Sequence, residues 1–143
     1  MRLNRNIAII GFGELGIQFE NLLETESSVK FDHYFDDNQK KSKIRNSSYF
    51  EEYINNTSIY YFVIGLGYRY LVNKTLIIEE IKKRGGKFCS IVSSASFVSN
   101  SAQIEDGVVI YPMCNIDKNA IIKSGVLLNN SVVVSHDCII NES

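Results

Sequence analysis

Hydrophobic and polar positions along the chain keep two different rhythms, and the change falls near residue 94. Ahead of it, short apolar runs alternate with helical patterns. Ile7-Ala8-Ile9-Ile10 is apolar throughout, as a strand covered on both faces of a parallel sheet would be. Leu15, Phe19, Leu22 and Leu23 then recur at helical spacing and line one face. Phe31 to Phe35 alternates and stops at Asp36-Asp37, which predicts a second strand with an acidic C-terminal edge. Ser47-Ser48 is placed to cap a short helix through Tyr53. Tyr60 to Ile64 predicts a third strand, closed by Gly65-Leu66-Gly67. Leu76, Ile77 and Ile81 mark a helix stopped by Gly85-Gly86, and Phe88 to Val92 a fourth strand. Strands and helices in alternation imply a parallel sheet with right-handed crossovers.

From Ser96 onward the helical period is gone. Val98, Ile104, Ile110, Ile116, Ile122, Leu128, Val134 and Ile140 fall six residues apart without interruption. A second track runs two residues ahead: Ser96, Ala102, Val108, Cys114, Ala120, Val126, Val132 and Cys138, all small or β-branched. A triangular β-helix explains both. Each hexapeptide supplies one flat side and one corner, and the aliphatic of each repeat stacks on the one a coil below. The position two residues earlier also points inward, where space is tighter. Corners need sharp turns, and Gly107, Gly125, Asn129 and Asn141 tolerate the positive φ expected there. Cys114 and Cys138 lie on the small track and read as packing residues, neither catalytic nor metal-binding. The pattern divides the chain into an α/β domain over residues 1–93 and a β-solenoid over residues 94–143.

Composition changes the picture mainly by exclusion. A chain of 143 residues can bury one core, or a small α/β domain with an appendage. A net charge of −1 gives no overall basic field for nucleic acid or an anionic membrane. Two local basic clusters, Lys40-Lys41-Lys43-Arg45 and Lys82-Lys83-Arg84, read as solvated surface, the second where cations suit a helix C-terminus. No segment approaches the ~18 apolar residues of a membrane span, and no signal-peptide pattern opens the chain. The three cysteines show no C-x-x-C spacing, so no metal site is expected. Their odd number, with no secretory signal, points to a reducing cytoplasm.

Candidate chemistry sits in both halves. Gly11-Phe12-Gly13-Glu14-Leu15-Gly16 lies between a strand and a helix, where glycines let backbone approach a phosphate and a helix N-terminus offers free N–H donors. Asp36 or Asp37, some twenty residues on, stands where a carboxylate accepts from a ribose hydroxyl. Alone, this motif suggests NAD, or a tight turn with no ligand. A dehydrogenase also needs a substrate domain bearing an acid or base, and the second half of the chain is of another kind.

Taken together, these features resemble the sialic acid O-acetyltransferase and UDP-4-amino-sugar N-acetyltransferase family. The resemblance runs over essentially the whole chain. Its most specific segment is Leu128-Asn129-Asn130-Ser131-Val132-Val133-Val134-Ser135-His136-Asp137-Cys138. Further matches are the glycine turn, Asp36-Asp37, Gly65, and Ser94-Ala95 ahead of the repeats. The resemblance implies a Rossmann-like nucleotide-sugar domain joined to a left-handed β-helix, working as a homotrimer with acetyl-CoA as co-substrate. It makes His136 the general base that takes a proton from a sugar amine or hydroxyl, and Asp137 the acidic residue beside it. Asn129 matches an asparagine near the acceptor; Gly11, Gly13, Asp36, Asp37 and Gly65 match nucleotide-sugar contacts. His33 is read as exposed surface.

Two departures stand out. Many relatives carry a histidine in the glycine turn where this chain has Leu15, which leaves the acceptor sugar open. Relatives also continue for several more coils, which hold most of their acetyl-CoA site, whereas this sequence ends at Ser143. The expectations are therefore an acetyl-CoA-dependent sugar acetyltransferase by direct transfer or, alternatively, an inactive nucleotide-sugar-binding or partner-binding module. A nicotinamide-dependent oxidoreductase ranks last. Residues 1–143 alone are expected to be inactive and to self-associate through their open end.

Overall fold

The computed structural model describes residues 6–26, 31–38 and 46–142; the basic cluster Lys40-Lys41-Lys43-Arg45 lies outside them. The chain divides into two compact units, Met1–Cys89 and Ser90–Ser143.

The first unit is built on a five-stranded parallel sheet. Its strands are β1 (Ile7–Ile10), β2 (Phe31–Phe35), β3 (Asn46–Ser48), β4 (Tyr61–Ile64) and β5 (Lys87–Phe88), in the order β3-β2-β1-β4-β5. The apolar run of β1 is central, paired on both sides, and all four residues are buried. Helix α1 (Glu14–Glu26) turns Gly16, Phe19, Leu22 and Leu23 into the core, as its spacing predicts. Helix α2 (Leu71–Lys83) buries Lys74, Ile77, Ile78 and Ile81, a stripe at i, i+3, i+4 and i+7. Leu76 falls off that stripe and is exposed. Lys74 lies within it at 5% exposure, and burial pushes its ammonium pKa down. At the C-terminus of α2, Gly86 N–H donates to Ile81 O and Gly85 N–H to Lys82 O, with Gly85 at φ 73°. This closes the helix at the glycine pair by a Schellman motif.

Two expectations are corrected here. Ser47-Ser48 does not cap a helix, because both residues lie in edge strand β3 and pair with Tyr34 and Phe35. The following 3-10 helix, Phe50–Asn56, begins instead with the Asp37 carboxylate accepting the Phe50 N–H at 2.9 Å. Phe88 to Val92 is not one strand. Lys87–Phe88 completes the first sheet, whereas Ile91–Val92 forms β6 and pairs with Val109–Ile110 in the second unit. Val92 stands six residues before Val98, so the repeat begins one hexapeptide earlier than expected.

The second unit is a three-sided, left-handed parallel β-helix. Its further strands are β7 (Phe97–Val98), β8 (Gln103–Ile104), β9 (Val109–Ile110), β10 (Asn115–Ile116), β11 (Ile121–Ile122), β12 (Leu127–Leu128), β13 (Val133–Val134) and β14 (Ile139–Ile140). They form the sheets β6-β9-β12, β7-β10-β13 and β8-β11-β14. Every pairing joins residues 18 apart, such as Phe97, Asn115 and Val133, so three hexapeptides make a coil. Both inward tracks are realised: Val108, Ile110, Cys114, Ile116, Ala120, Ile122, Val126, Leu128 and Val134 are buried together. Val98, Ala102, Ile104, Val132 and Ile140 pack against them.

The corners differ from expectation in a regular way. Gly107, Met113, Asn119, Gly125, Ser131 and Asp137, each six residues from the next, all have φ between 58° and 75°. Gly107 and Gly125 were expected among them, but Asn129 and Asn141 are not. The left-handed residue is the one just ahead of the small inward residue, which puts it at 131 and 137 instead.

Candidate functional site

In the first unit, a glycine turn follows the C-terminal end of β1, held by hydrogen bonds and a ring stack. Gly11, at φ 81°, donates its N–H to Phe35 O at 2.8 Å. The Phe12 N–H donates to Asp36 Oδ2 at 2.7 Å, and the Phe12 ring stacks on Tyr34 at 4.4 Å between centroids. Gly65 N–H donates to Ile10 O at 2.7 Å. The glycines have distinct uses. A Cβ on Gly65 would lie 2.5 Å from Gly11 O, and one on Gly16 would also collide with that oxygen. A Cβ on Gly13 would meet nothing within 4 Å, so its backbone faces open space at the start of α1. The three glycines of the turn thus divide into a positive-φ bend, an open approach and a close helix contact, the division of labour in phosphate-binding turns.

The structure brings Gly11, Asp36 and Gly65 together around this turn, with Gly13 at its open side. Asp36 also accepts the Asn38 N–H at 2.7 Å through Oδ1, so each carboxylate oxygen already serves the backbone once. Asp37 Oδ1 accepts the Phe50 N–H and so caps the 3-10 helix. The sequence pattern missed Phe12, whose ring and N–H both pin the turn; an aromatic between two glycines was the available signal.

In the second unit, His136 and Asp137 occupy the corner between β13 and β14. His136 Nδ1 lies 2.8 Å from Asp137 Oδ2, with the two side chains 71% and 56% exposed. The His136 hydrogen bond, then the one from Asn119, holds the Asp137 carboxyl below its usual range. A carboxylate at neutral pH only accepts, so Nδ1 carries the proton in this pair, and in the neutral ring it is Nε2 that presents the lone pair. An accessible imidazole with a free Nε2 is equipped to take a proton from an approaching amine or hydroxyl.

Other candidates stand elsewhere. Asn129 is exposed, and its carbonyl accepts the Cys114 thiol at 3.0 Å. Cys114 is buried as expected, whereas Cys138, on the same small track, is exposed. His33 is half-buried rather than exposed: its ring lies 5.4 Å from Tyr60 and its Nε2 3.0 Å from Ser48 Oγ. Burial pushes its pKa down. A cleft of about 510 Å³ between the 3-10 helix and α2, lined by Phe50, Tyr53, Leu76 and Ile77 among others, includes none of the candidate residues. No described helix is long and apolar enough to cross a membrane.

No family model matches the chain. Solved structures do. The acetyltransferase domain of PglB from Neisseria gonorrhoeae aligns at a TM-score of 0.82 and 23% identity over 95% of this chain and 67% of its own. It has also been solved in complex with acetyl coenzyme A. PerB from Caulobacter crescentus, solved with CoA and GDP-perosamine, aligns at 0.82 and 15% identity over 94% of this chain and 64% of its own. A histidine-to-asparagine mutant of perosamine N-acetyltransferase from the same organism, with the same two ligands, aligns at 0.80. The chain therefore shares their fold and spans about two thirds of their length.

Proposed function

We propose that this chain is the acceptor-binding part of an acetyl-CoA-dependent sugar acetyltransferase, with His136 as the general base. The carrying observation is the corner pair itself. Asp137 occupies Nδ1 of His136 and leaves Nε2 exposed, on a coil of the same fold as structures solved with acetyl coenzyme A or with CoA and GDP-perosamine. Fold alone does not specify a reaction, so the reading rests on this geometry.

In the proposed step, the acceptor amine or hydroxyl attacks the thioester carbonyl while Nε2 removes its proton. The tetrahedral intermediate collapses, the C–S bond breaks, and the imidazolium returns the proton to the CoA thiolate. Asp137 keeps the ring in the required tautomer and stabilises the imidazolium. The nucleotide-linked sugar binds at the glycine turn, where the first-turn N–H groups of α1 and the open backbone at Gly13 suit a diphosphate. Gly65 and Asp36 shape the rest of that cradle. The working protein is read as a cytoplasmic homotrimer.

Ligand-dependent stabilisation tests the binding half of this reading. Nucleotide-linked sugars of the UDP, dTDP or GDP series should raise the melting temperature. Ligand at a hundredfold its dissociation constant adds about 2.7 kcal/mol. Stabilisation by NAD(H) and by no nucleotide sugar would show that the turn serves a dinucleotide instead.

A further inference from the structure

The proposed base sits on an exposed corner, where a carboxylate one residue from a histidine is free to rotate away from it. Something must hold Asp137 if the imidazole is to keep one tautomer. Eighteen residues earlier, one coil below, stands Asn119. Its Nδ2 donates to Asp137 Oδ1 at 3.1 Å, while Asp137 Oδ2 faces His136 Nδ1. Asn119 is itself held: its N–H donates to Ser101 Oγ at 3.1 Å, and Ser101 lies another 18 residues back. The Asp137 N–H donates to Lys118 O at 2.9 Å, which fixes the two corners one above the other. Asn119 and Asp137 share the left-handed backbone, at φ 58° and 61°.

We propose that Asn119 is a positioning residue for the His136–Asp137 pair, its side-chain amide aiming the Asp137 carboxylate so that His136 keeps its proton on Nδ1. The inference rests on the reading of His136 as a base, but its physical content, a locked tautomer, is separate from turnover. With one oxygen bound by the amide, the carboxylate has one low-energy orientation, and that orientation gives its second oxygen to the ring. Asparagine suits the position twice over. It tolerates positive φ, and it offers a neutral donor where an acid would repel Asp137. The groups facing the pair are Lys118, which attracts the carboxylate, and the Asn119 amide. A neutral imidazole without such a partner favours the proton on Nε2, so losing the lock moves the proton to the atom that must act as base.

Nitrogen NMR of the histidine rings decides it. The chain has two histidines, and His136→Ala assigns the signals. Asn119→Gly removes the amide while relieving the backbone, and Asn119→Asp sets a carboxylate against Asp137. In the unaltered protein the neutral His136 ring should show a protonated Nδ1. In both variants the population should move to Nε2–H, and in Asn119→Gly the Asp137 carboxyl should titrate higher as its donor is lost. Transfer, where measured, should slow on the order of tenfold, the lower end of what losing an outer partner costs a metal-bound imidazole. A wild-type tautomer signature in a folded Asn119→Gly protein would overturn the proposal. Undiminished transfer by His136→Ala would instead remove the base reading and leave the tautomer result standing.

Discussion

Charged side chains on the coil corners act through neighbours one coil away, and this sets their response to pH. Glu105 Oε1 accepts from Lys123 Nζ at 2.9 Å, and Oε2 accepts from the Ser124 N–H at 2.9 Å. The Lys123 bond, followed by the Ser124 backbone, holds the Glu105 carboxyl below its ordinary value. Asp137 is lowered in the same sense by His136 and Asn119. A carboxyl whose folded pKa is depressed stabilises the fold fully above its unfolded value, and that contribution is lost as pH falls through the folded value. Glu105→Gln is therefore expected to be less stable than the unaltered protein at pH 7, with the difference closing as the medium is acidified below the ordinary carboxylate range. Urea unfolding across a pH series reads this directly. Parallel curves, with the gap unchanged at low pH, would show that the Glu105 bonds add nothing to the folded state.

At the scale of elements, the periodic features were legible and the local ones were not. The six-residue track of aliphatics foretold the inward stacks of the β-helix from Val98 onward, because stacking needs the same residue class at each return. The apolar run at Ile7–Ile10 foretold a central strand because a strand covered on both faces has no polar side to show. Corners were harder to read. Their left-handed position is set by the geometry of the turn, and Met113 and Ser131 adopt it without a residue type that announces it. The strand break at Cys89 was also hidden, since Phe88 to Val92 is apolar on both sides of the point where pairing partners change. Of the candidate site, the glycine turn and the His136–Asp137 pair were visible as motifs. Asn119 was not, because its relation to Asp137 appears only once the 18-residue coil is known. Met113 offers a test of the corner geometry. It holds φ 67° with 69% of the residue exposed, so little packing offsets the strain. Met113→Asn should raise stability by on the order of 1 kcal/mol, since asparagine tolerates the left-handed region. A urea midpoint unchanged or lowered in that variant would mean that the strain is relieved elsewhere.

Across the whole molecule, two compact units with separate cores carry the two halves of the proposed chemistry. The first offers a backbone cradle at the end of a buried parallel sheet; the second offers an imidazole whose free nitrogen is set by hydrogen bonds along one corner of a solenoid. The outward faces of the coils carry exposed Phe97, Val133 and Ile139, consistent with the proposed association of three copies. Acetyl transfer is the measurement that reaches the central claim most directly. A version of the chain extended with further β-helix coils is incubated with acetyl-CoA and a panel of nucleotide-linked sugars bearing a free amine or hydroxyl, and products are followed by mass spectrometry beside His136→Ala. The account predicts one acetyl group added to a nucleotide sugar with stoichiometric release of CoA. It also predicts a loss on the order of 10²–10⁴ in rate for His136→Ala, with sugar-nucleotide binding retained. Near-normal transfer by a folded His136→Ala protein would contradict it.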